Sequence, residues 1–399
     1  MNSTSKSLRL HIGILGRRNV GKSSILNAIT HQQVSIVSSE KGTTTDPVEK
    51  PMELLPLGPV LFIDTAGLDD EGTVGALRVA RTKAVYDRCD LALLVTDGAW
   101  GLYEQDIMRE LQTRQIPWIA VCNKSDTHDD SPLCAKLREQ HVETVRVSAQ
   151  TGDGIEELQQ AIIRMAPADF LDSRHLIADL IPPGGHVLLV VPIDKEAPKG
   201  RLIMPQVQTI RDVLDAHATC TICRETEVSA MLDMFKTPPA LVVTDSQAFE
   251  AVSAQVPDSI PLTGFSVLFA RFKGELHTLT QGALALSRLK PGDRVLVAEA
   301  CTHHPIQDDI GRVKIPRWLE KHAGGALCID TVSGLDFPKD LSPYRVIVHC
   351  GACMWTRRQM LSRIQQATAQ NVPITNYGLA IAALHGILPR ALRPFGIEV

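Results

Sequence analysis

The chain has 399 residues, of which 44% are hydrophobic and 22% charged, enough for two or three domains with their own cores. Its formal net charge of −4 argues against nonspecific binding to nucleic acid or acidic membranes, and no apolar run is long enough to span a bilayer. The N-terminal residues lack the profile of a secretory signal, and two pairs among the nine cysteines have C-x-x-C spacing, typical of reduced thiols and metal ligation. We therefore expect a cytoplasmic protein without a nucleic-acid or membrane partner.

Strand and helix patterns alternate in the first third of the chain, which predicts an α/β fold with a doubly wound sheet. The first predicted strand, 8–15, ends in the sequence G-x-x-x-x-G-K-S, and a helical pattern follows. Such a loop surrounds phosphate oxygens with backbone N–H groups, while its lysine reaches the β- and γ-phosphates and its serine binds magnesium. We predict that the phosphate-binding residues are Gly16, Asn19, Val20, Gly21, Lys22, Ser23 and Ser24.

Two further segments match the switch regions of GTP-binding domains. The sequence 42–46, G-T-T-T-D, has the G-T-T-x-D form, which indicates that Thr44 completes the magnesium shell begun by Ser23. A predicted strand, 60–63, then ends in D-T-A-G, where Asp64 contacts magnesium through water and the Gly67 N–H senses the γ-phosphate. Lys22, Thr44 and Gly67 are the predicted catalytic residues.

The base-binding motif follows the predicted strand 118–122 and reads N-K-S-D. A carboxylate at Asp126 can accept two hydrogen bonds from guanine, a pair that adenine does not offer, so the motif predicts GTP as the nucleotide. Each motif ends a predicted strand, at the edge where open α/β sheets bind ligands. The predicted guanine-binding residues are Asn123, Lys124, Asp126, Ser148 and Ala149.

Leu68 follows Gly67, at the position where Ras-like enzymes place the glutamine that orients the attacking water. In this the domain resembles the subgroup of GTPases that includes Era and the tRNA-modifying TrmE (MnmE). Some members of that subgroup hold a potassium ion partly through an asparagine that matches Asn19. Asn19 either binds potassium, which stabilises transition-state charge, or only shapes the loop. We expect slow GTP hydrolysis that potassium accelerates.

We predict domains at 1–168, 169–268 and 269–399. The middle domain again alternates strand and helix, but it carries no phosphate loop or acid–base constellation, so its expected role is packing within or between chains. Its C-x-x-C pair, Cys220 and Cys223, has no second pair or histidine nearby, and we interpret it as buried structural thiol.

Two predicted strands of the last domain, 294–299 and 344–348, each lead into thiol and imidazole side chains. If these strands are parallel neighbours, the side chains converge at one sheet edge. Three cysteines with histidines fit either a Cys3His zinc site or a four-iron cluster with one weakly held ligand. His304 is expected to be solvated or to cap a helix. The candidate ligands are Cys301, His303, His349, Cys350 and Cys353.

The arrangement C-x-H, 45 residues, then H-C-x-x-C, downstream of an N-terminal GTPase, resembles the HydF family of FeFe-hydrogenase maturation GTPases over the whole chain. The resemblance implies a 4Fe-4S cluster held by Cys301, Cys350 and Cys353, with a labile fourth position filled by a histidine or another weak ligand. It also implies a middle dimerisation domain, and hence a homodimer.

The same resemblance implies a carrier for the diiron subcluster of the hydrogenase. Two radical-SAM maturation enzymes load the unit, apo FeFe-hydrogenase receives it, and GTP gates the exchange of partners. Two rival hypotheses are an Era/TrmE-like GTPase that acts on RNA or the ribosome, and a GTPase with a purely structural zinc site. The first predicts a basic nucleic-acid-binding appendage, and the last two-thirds of the chain has no long Lys/Arg stripe.

Overall fold

The computed structural model describes residues 6–30, 48–65, 85–171, 175–193, 202–300, 309–334 and 336–399. The chain divides into two compact units, Met1–Ser173 and Arg174–Val399. Each unit contains a largely parallel sheet or sheets with helices against them, which confirms the predicted α/β class. None of the helices in the described ranges combines the length and apolarity that a membrane span requires.

The first unit is built on a six-stranded sheet with the order β2-β3-β1-β4-β5-β6. All neighbours are parallel except β2 and β3, which form an antiparallel pair at one edge. The three central strands β1, β4 and β5 are buried along their whole length, because helices cover both faces. The strands are β1 (Leu10–Leu15), β2 (Val48–Leu54), β3 (Gly58–Asp64), β4 (Leu91–Thr96), β5 (Trp118–Cys122) and β6 (Thr144–Arg146).

Helices of this unit follow the strands along the chain and pack their apolar stripes on the sheet. The last long helix, for example, buries Ile155, Leu158, Ala161 and Ile162 on a single face. The helices are α1 (Lys22–Thr30), α2 (Leu102–Thr113), α3 (Ser131–Glu139), α4 (Ile155–Met165) and α5 (Ala168–Leu171). The first strand begins at Leu10 and not at the predicted Leu8, because Lys6–Leu8 form a short 3-10 turn.

The second unit contains two four-stranded, all-parallel sheets. The first has the order β10-β9-β7-β8 and the second β12-β11-β13-β14. The strands of the first sheet are β7 (His186–Val190), β8 (Thr219–Cys223), β9 (Leu241–Thr244) and β10 (Leu262–Gly264). Those of the second are β11 (Arg294–Glu299), β12 (Cys328–Ser333), β13 (Val346–His349) and β14 (Ile374–Asn376).

One apolar core joins both sheets of this unit, with Leu188 and Val242 from the first and Leu296 and Ile347 from the second. The helices are α6 (Met204–Asp215), α7 (Val228–Met234), α8 (Phe249–Ser253), α9 (Phe265–Lys273), α10 (Leu276–Ala285), α11 (Ile315–Ala323), α12 (Arg357–Ala369), α13 (Tyr377–Leu384) and α14 (Leu388–Leu392). Helix α9 runs through residues 268 and 269, where we predicted a domain boundary. The division into three domains stays a prediction.

The C-x-x-C pair of the middle segment lies on strand β8, where residues three apart point to opposite faces. Cys223 belongs to the core shared by the two sheets, whereas Cys220 packs against the core on the other face. The two thiols therefore do not chelate one ion. Cys223 is buried, as predicted, whereas Cys220 is half-buried.

Candidate functional site

The loop between β1 and α1 has the conformation that its glycines permit. Gly16 and Gly21 have φ angles of 143° and 96°, in the region that favours glycine. A Cβ atom at Gly21 would lie 2.1 Å from the side-chain nitrogen of Asn123. Lys22 is buried, and its Nζ donates to the carbonyl oxygens of Gly16 at 2.9 Å and Arg17 at 2.6 Å. The lysine ammonium is thus held against the start of the loop.

Ser23, in the first turn of α1, meets Asp64 at the carboxyl end of β3. The Ser23 hydroxyl donates to Oδ2 of Asp64 at 2.5 Å. The other oxygen, Oδ1, is buried and has no hydrogen-bond partner among the described residues. Burial raises the pKa of Asp64, against the effects of the Ser23 hydrogen bond and the Lys22 charge. A hydroxyl beside a buried carboxylate oxygen without a partner is a donor set that fits Mg²⁺.

Asn123 connects the phosphate loop with the loop after β6. Its Nδ2 donates to the Val20 carbonyl at 2.8 Å, and its Oδ1 accepts from the Ala149 N–H at 3.1 Å. Lys124 has a φ of 64° and pairs with Asp97 at 2.8 Å. These contacts bring the predicted phosphate and guanine motifs to one edge of the sheet.

The remaining predicted residues of this site differ in their exposure. Asn19 and Asp126 are exposed, Ser24 and Ala149 are half-buried, and Ser148 is buried. Asn19 has a φ of 62°, as a residue in a tight turn of the loop does. Thr44 and Gly67 lie outside the described residues.

The second candidate site lies at the carboxyl ends of β11 and β13. These strands are parallel neighbours, with Ala298 opposite His349. This confirms the pairing on which the predicted meeting of the C-x-H and H-C-x-x-C segments depends. The Cys350 N–H donates to the Ala298 carbonyl at 2.8 Å, and the Ala300 N–H donates to the Cys350 sulfur at 3.0 Å. Cys301 and His303 follow in the sequence and lie outside the described residues.

The turn from Cys350 to Cys353 surrounds the second thiol with donors. Ala352 has a φ of 48°, which turns the backbone so that the N–H groups of Cys353 and Met354 face the Cys353 sulfur. Burial raises the pKa of Cys353, while these N–H groups and the charge of Lys273 oppose the increase. Lys273 is buried and donates to the Trp355 carbonyl at 2.9 Å. The N–H groups and the Lys273 charge therefore offset part of the cost that burial imposes on a thiolate at Cys353.

Both ring nitrogens of His349 are hydrogen-bonded within the chain. Nδ1 donates to the Cys350 carbonyl at 2.7 Å, and Nε2 accepts from Nη1 of Arg363 at 2.7 Å, because a guanidinium can only donate. Burial, together with the Arg363 charge, lowers the pKa of His349 to about 3. The imidazole is therefore neutral at physiological pH.

Sequence reasoning missed Arg363, Lys273 and Trp355. Arg363 is buried between the rings of Trp355, at 4.2 Å, and Phe337, at 4.5 Å, and it also donates to the Gly334 carbonyl. The sequence did contain a sign that Arg363 is buried, because it falls on the same helix face as Met360, Ile364 and Ala367 of α12. Nothing in the local sequence identifies Lys273 or Trp355 as neighbours of Cys353.

The fold and the loop geometry of the first unit define a P-loop GTPase domain, and residues 11–124 match the family model described as a 50S ribosome-binding GTPase. Residues 176–274 match the hydrogen maturase F dimerization domain, and residues 277–394 match the hydrogen maturase F tetramerization domain. The chain belongs to the hydrogen maturase F (HydF) family and is a GTPase of that family. Its two family-specific domains are both named for assembly into oligomers.

Curated relatives match about two-fifths to one-half of the chain. The tRNA modification GTPase MnmE of Desulfotalea psychrophila is 38% identical over 154 residues, which cover 37% of this chain and 33% of that protein. MnmE of Heliobacterium modesticaldum is 33% identical over 210 residues, covering 51% and 42% respectively. The chain therefore spans well under half the length of these relatives.

Among solved structures, Era in complex with MgGDPNP and a 16S ribosomal RNA segment has a TM-score of 0.37 and 19% identity, and covers 54% of this chain and 93% of that chain. Era of Aquifex aeolicus bound to GDP and AlF4⁻ has a TM-score of 0.37 and 18% identity, with coverage of 81% and 92%.

Proposed function

We propose that this protein is a GTP-hydrolysing carrier that holds a 4Fe-4S cluster and assembles or delivers the diiron subcluster of FeFe-hydrogenase. The observation that carries the proposal is the contact between the Ala300 N–H and the Cys350 sulfur at 3.0 Å. Ala300 directly precedes Cys301 in the sequence, and this hydrogen bond joins it to Cys350, one of the two thiols of the C-x-x-C turn. Family membership supports the role in hydrogenase maturation.

We assign Cys301, Cys350 and Cys353 as the cluster ligands. The N–H groups around Cys350 and Cys353 and the buried ammonium of Lys273 suit a site that collects several thiolates, because each lowers the cost of negative charge on sulfur. When bound, the cluster supplies an iron atom with a weakly held position, to which a bridging ligand can attach a diiron precursor.

His303 and His349 are the two candidates for the fourth ligand of the proposed cluster, and the hydrogen bonds of His349 distinguish them. His349 can act as a ligand only after one of its two hydrogen bonds has broken, and the bond from Arg363 is buried. We therefore propose His303 as the exchangeable histidine, with His349 holding the Cys350 carbonyl in place. Substitution of each histidine by alanine, followed by EPR of the reconstituted cluster, tests this assignment. A spectrum altered by His349→Ala but not by His303→Ala contradicts it.

In the first unit, we propose that Lys22 contacts the β- and γ-phosphates while Ser23, Thr44 and Asp64 complete the magnesium site. Gly67 senses the γ-phosphate, and Asn123, Lys124, Asp126, Ser148 and Ala149 recognise guanine. We further propose that Asn19 helps to hold a potassium ion. Hydrolysis rates measured in potassium and in sodium, for the wild type and for Asn19→Ala, test this role. Equal rates in the two salts for the wild type contradict it.

We propose that two radical-SAM maturation enzymes load the site, that apo FeFe-hydrogenase accepts the product, and that GTP gates the exchange of partners. A nucleotide can do so only if GTP- and GDP-bound forms differ in their affinity for a partner. Release rates of the hydrogenase from the carrier with GTP, with GDP and without nucleotide test the gating. Identical rates in all three states contradict it.

We also propose a homodimer through the first sheet of the second unit. Strand β8 lies at the edge of that sheet, and its Ile222 side chain is 45% exposed. An exposed apolar edge strand is a template for pairing with a second chain. Substitution of Ile222 by lysine should shift the protein toward monomer in light scattering. The same change at Leu55, which is exposed in the first unit, should have no effect on the oligomeric state.

Anaerobic purification followed by iron, sulfide and zinc analysis and EPR tests the cluster. We expect about four iron atoms and four sulfides per chain, and their loss in Cys353→Ser. Cys328→Ser is the matched control, because Cys328 is an exposed thiol on strand β12 of the same sheet. Zinc without sulfide in the wild type contradicts the proposal and favours a structural zinc site.

A further inference from the structure

A second group of metal-type side chains lies in the first unit, within the GTPase domain. Cys122 ends strand β5, Asp130 precedes helix α3, and Cys134 lies in its first turn. The two sulfurs and a carboxylate oxygen all lie within 4.8 Å of one another. The three side chains are buried, with exposed fractions of 0%, 3% and 2%.

Asp130 provides the observation that points to a ligand. Its Oδ1 pairs with Nε of Arg146, whereas its Oδ2 is buried and has no hydrogen-bond partner among the described residues. A buried carboxylate oxygen without a partner costs free energy that a bound cation would remove. Carboxylate ligands of metal ions commonly bind the ion through one oxygen and accept a hydrogen bond from the protein at the other, as Oδ1 of Asp130 does from Arg146.

The Cys134 thiol donates a hydrogen bond to the Cys122 sulfur at 3.0 Å. Oxidation to a disulfide and binding of a metal ion would each replace this hydrogen bond and change the distance between the sulfurs. A disulfide requires the sulfurs to approach to about 2.05 Å. Two sulfurs on one tetrahedral ion, each about 2.3 Å from the metal, lie about 3.8 Å apart. The carboxylate separates these alternatives, because a disulfide leaves Oδ2 of Asp130 without a partner and a metal ion does not.

We propose that Cys122, Asp130 and Cys134 form a binding site for a borderline-soft divalent ion of the zinc class. Binding releases the two thiol protons to solvent and leaves two thiolates and one carboxylate on the ion. With the ion and the half-exposed Arg146 guanidinium, the formal charges of the site cancel, which lowers the cost of burying two thiolates and a carboxylate. Two sulfur donors and one oxygen donor suit zinc rather than magnesium or calcium.

The position of this site connects it to the nucleotide. Cys122 directly precedes Asn123, and Asp130 follows the guanine motif by four residues. An ion bound to both ends of the segment 122–130 closes it into a loop and restricts the backbone that carries Asn123 and Asp126. Loss of the ion should therefore weaken guanine nucleotide binding without a change in the nucleotide-contacting residues.

Titration with Co²⁺ under anaerobic conditions tests the proposal. The parent is the full chain with Cys301, Cys350 and Cys353 replaced by alanine, so that the proposed cluster site contributes no thiolate. We expect one Co²⁺ per chain with thiolate charge-transfer absorption, and displacement of the cobalt by zinc. Adding Cys220→Ala and Cys223→Ala is the matched control and should leave this spectrum unchanged.

Adding Cys134→Ser should abolish the charge-transfer band, and adding Asp130→Asn should weaken cobalt binding. Circular dichroism establishes that each variant is folded, and Asp130→Asn provides the test if Cys134→Ser does not fold. The absence of a band in the parent, its persistence in Cys134→Ser, or unchanged cobalt binding in Asp130→Asn overturns the proposal. A Cys122–Cys134 disulfide in the parent as purified without oxygen also overturns it. None of these outcomes depends on the proposed iron–sulfur site.

Discussion

Nη1 of Arg363 lies 2.7 Å from Nε2 of His349, so a buried guanidinium holds the imidazole that adjoins the first cysteine of the turn. The same guanidinium lies between two aromatic rings and donates to a backbone carbonyl. His349 is therefore fixed in one tautomer, with its Nδ1 proton directed at the Cys350 carbonyl.

Replacement of Arg363 by methionine should lower the free energy of unfolding by about 3 kcal/mol, because a buried carbonyl and the His349 ring lose their donor. It should also change the EPR spectrum of the proposed cluster after reconstitution, since the imidazole is then free to turn. Denaturant unfolding and EPR measure the two effects. Arg317→Met, at an exposed position on helix α11, is the control. An unchanged EPR spectrum in a folded Arg363→Met protein contradicts the proposal that Arg363 positions the His349 ring beside the cluster ligands.

Replacement of Asp64 by asparagine should stabilise the nucleotide-free protein by about 1 kcal/mol while abolishing magnesium-dependent hydrolysis. The carboxylate is buried and one of its oxygens has no partner among the described residues, so its charge is unfavourable without a cation. Thermal unfolding without nucleotide or magnesium, together with a phosphate-release assay, measures both effects. Lower stability of the variant would show that the Asp64 charge does not destabilise the fold.

Because the pKa of Asp64 is raised in the folded protein, the free energy of unfolding should depend on pH. An acid that binds its proton more tightly in the folded state stabilises the fold below its unfolded pKa of 3.8, and this contribution is lost as pH rises through the folded pKa. The stability of the wild type relative to Asp64→Asn should therefore fall as the pH increases above 3.8. A difference that is constant with pH contradicts this assignment.

Asn123→Ala should weaken GDP binding by roughly thirtyfold, or about 2 kcal/mol, through the loss of two side-chain hydrogen bonds. Those bonds join the Val20 carbonyl to the Ala149 N–H across the site. Calorimetric titration with GDP and magnesium provides the measurement. Thr113→Ala, at an exposed helix end away from these loops, should bind GDP as the wild type does. Wild-type affinity in Asn123→Ala would mean that the two loops hold their positions without this side chain.

Cysteine labelling should distinguish Cys223 from Cys328. Burial raises the pKa of Cys223 to about 11, so roughly one thiol in a thousand is ionised at pH 8. Cys328 is exposed and should react with iodoacetamide within minutes. Peptide mass spectrometry after brief labelling reports both residues, and labelling in denaturant should remove the difference. Rapid reaction of Cys223 in the folded protein would contradict its burial.

Gly282→Ala should destabilise the second unit by about 2 kcal/mol or more. A Cβ atom at Gly282 would lie 2.0 Å from the carbonyl oxygen of Ile374, which forces helix α10 away from strand β14. Gly351→Ala is the matched control, since a Cβ atom there meets no atom within 4 Å. Denaturant unfolding compares the two variants. Equal stabilities would show that the helix can move outward at little cost.

Strands and loops that depend on neighbouring residues alone could be predicted from the sequence. The G-x-x-x-x-G-K-S loop, the strand before Asn123 and the predicted strands 294–299 and 344–348 follow from glycine positions and apolar runs. The structure contains them, the last as Val346–His349. Contacts between distant residues could not be predicted in the same way. Arg363 and His349 are 14 residues apart, and their pairing depends on how helix α12 packs against strand β13. The group of Cys122, Asp130 and Cys134 likewise depends on the angle at which helix α3 meets strand β5.

Lys273 ends helix α9, whose Phe265, Leu268 and Phe269 pack on the sheet of the segment that matches the dimerization domain. Its ammonium contacts the Trp355 carbonyl and adds positive potential at the Cys353 sulfur. Any displacement of α9 carries that charge toward or away from the thiol. The packing of one helix against the first sheet of the second unit thus sets the electrostatic environment of a thiol beyond the second sheet.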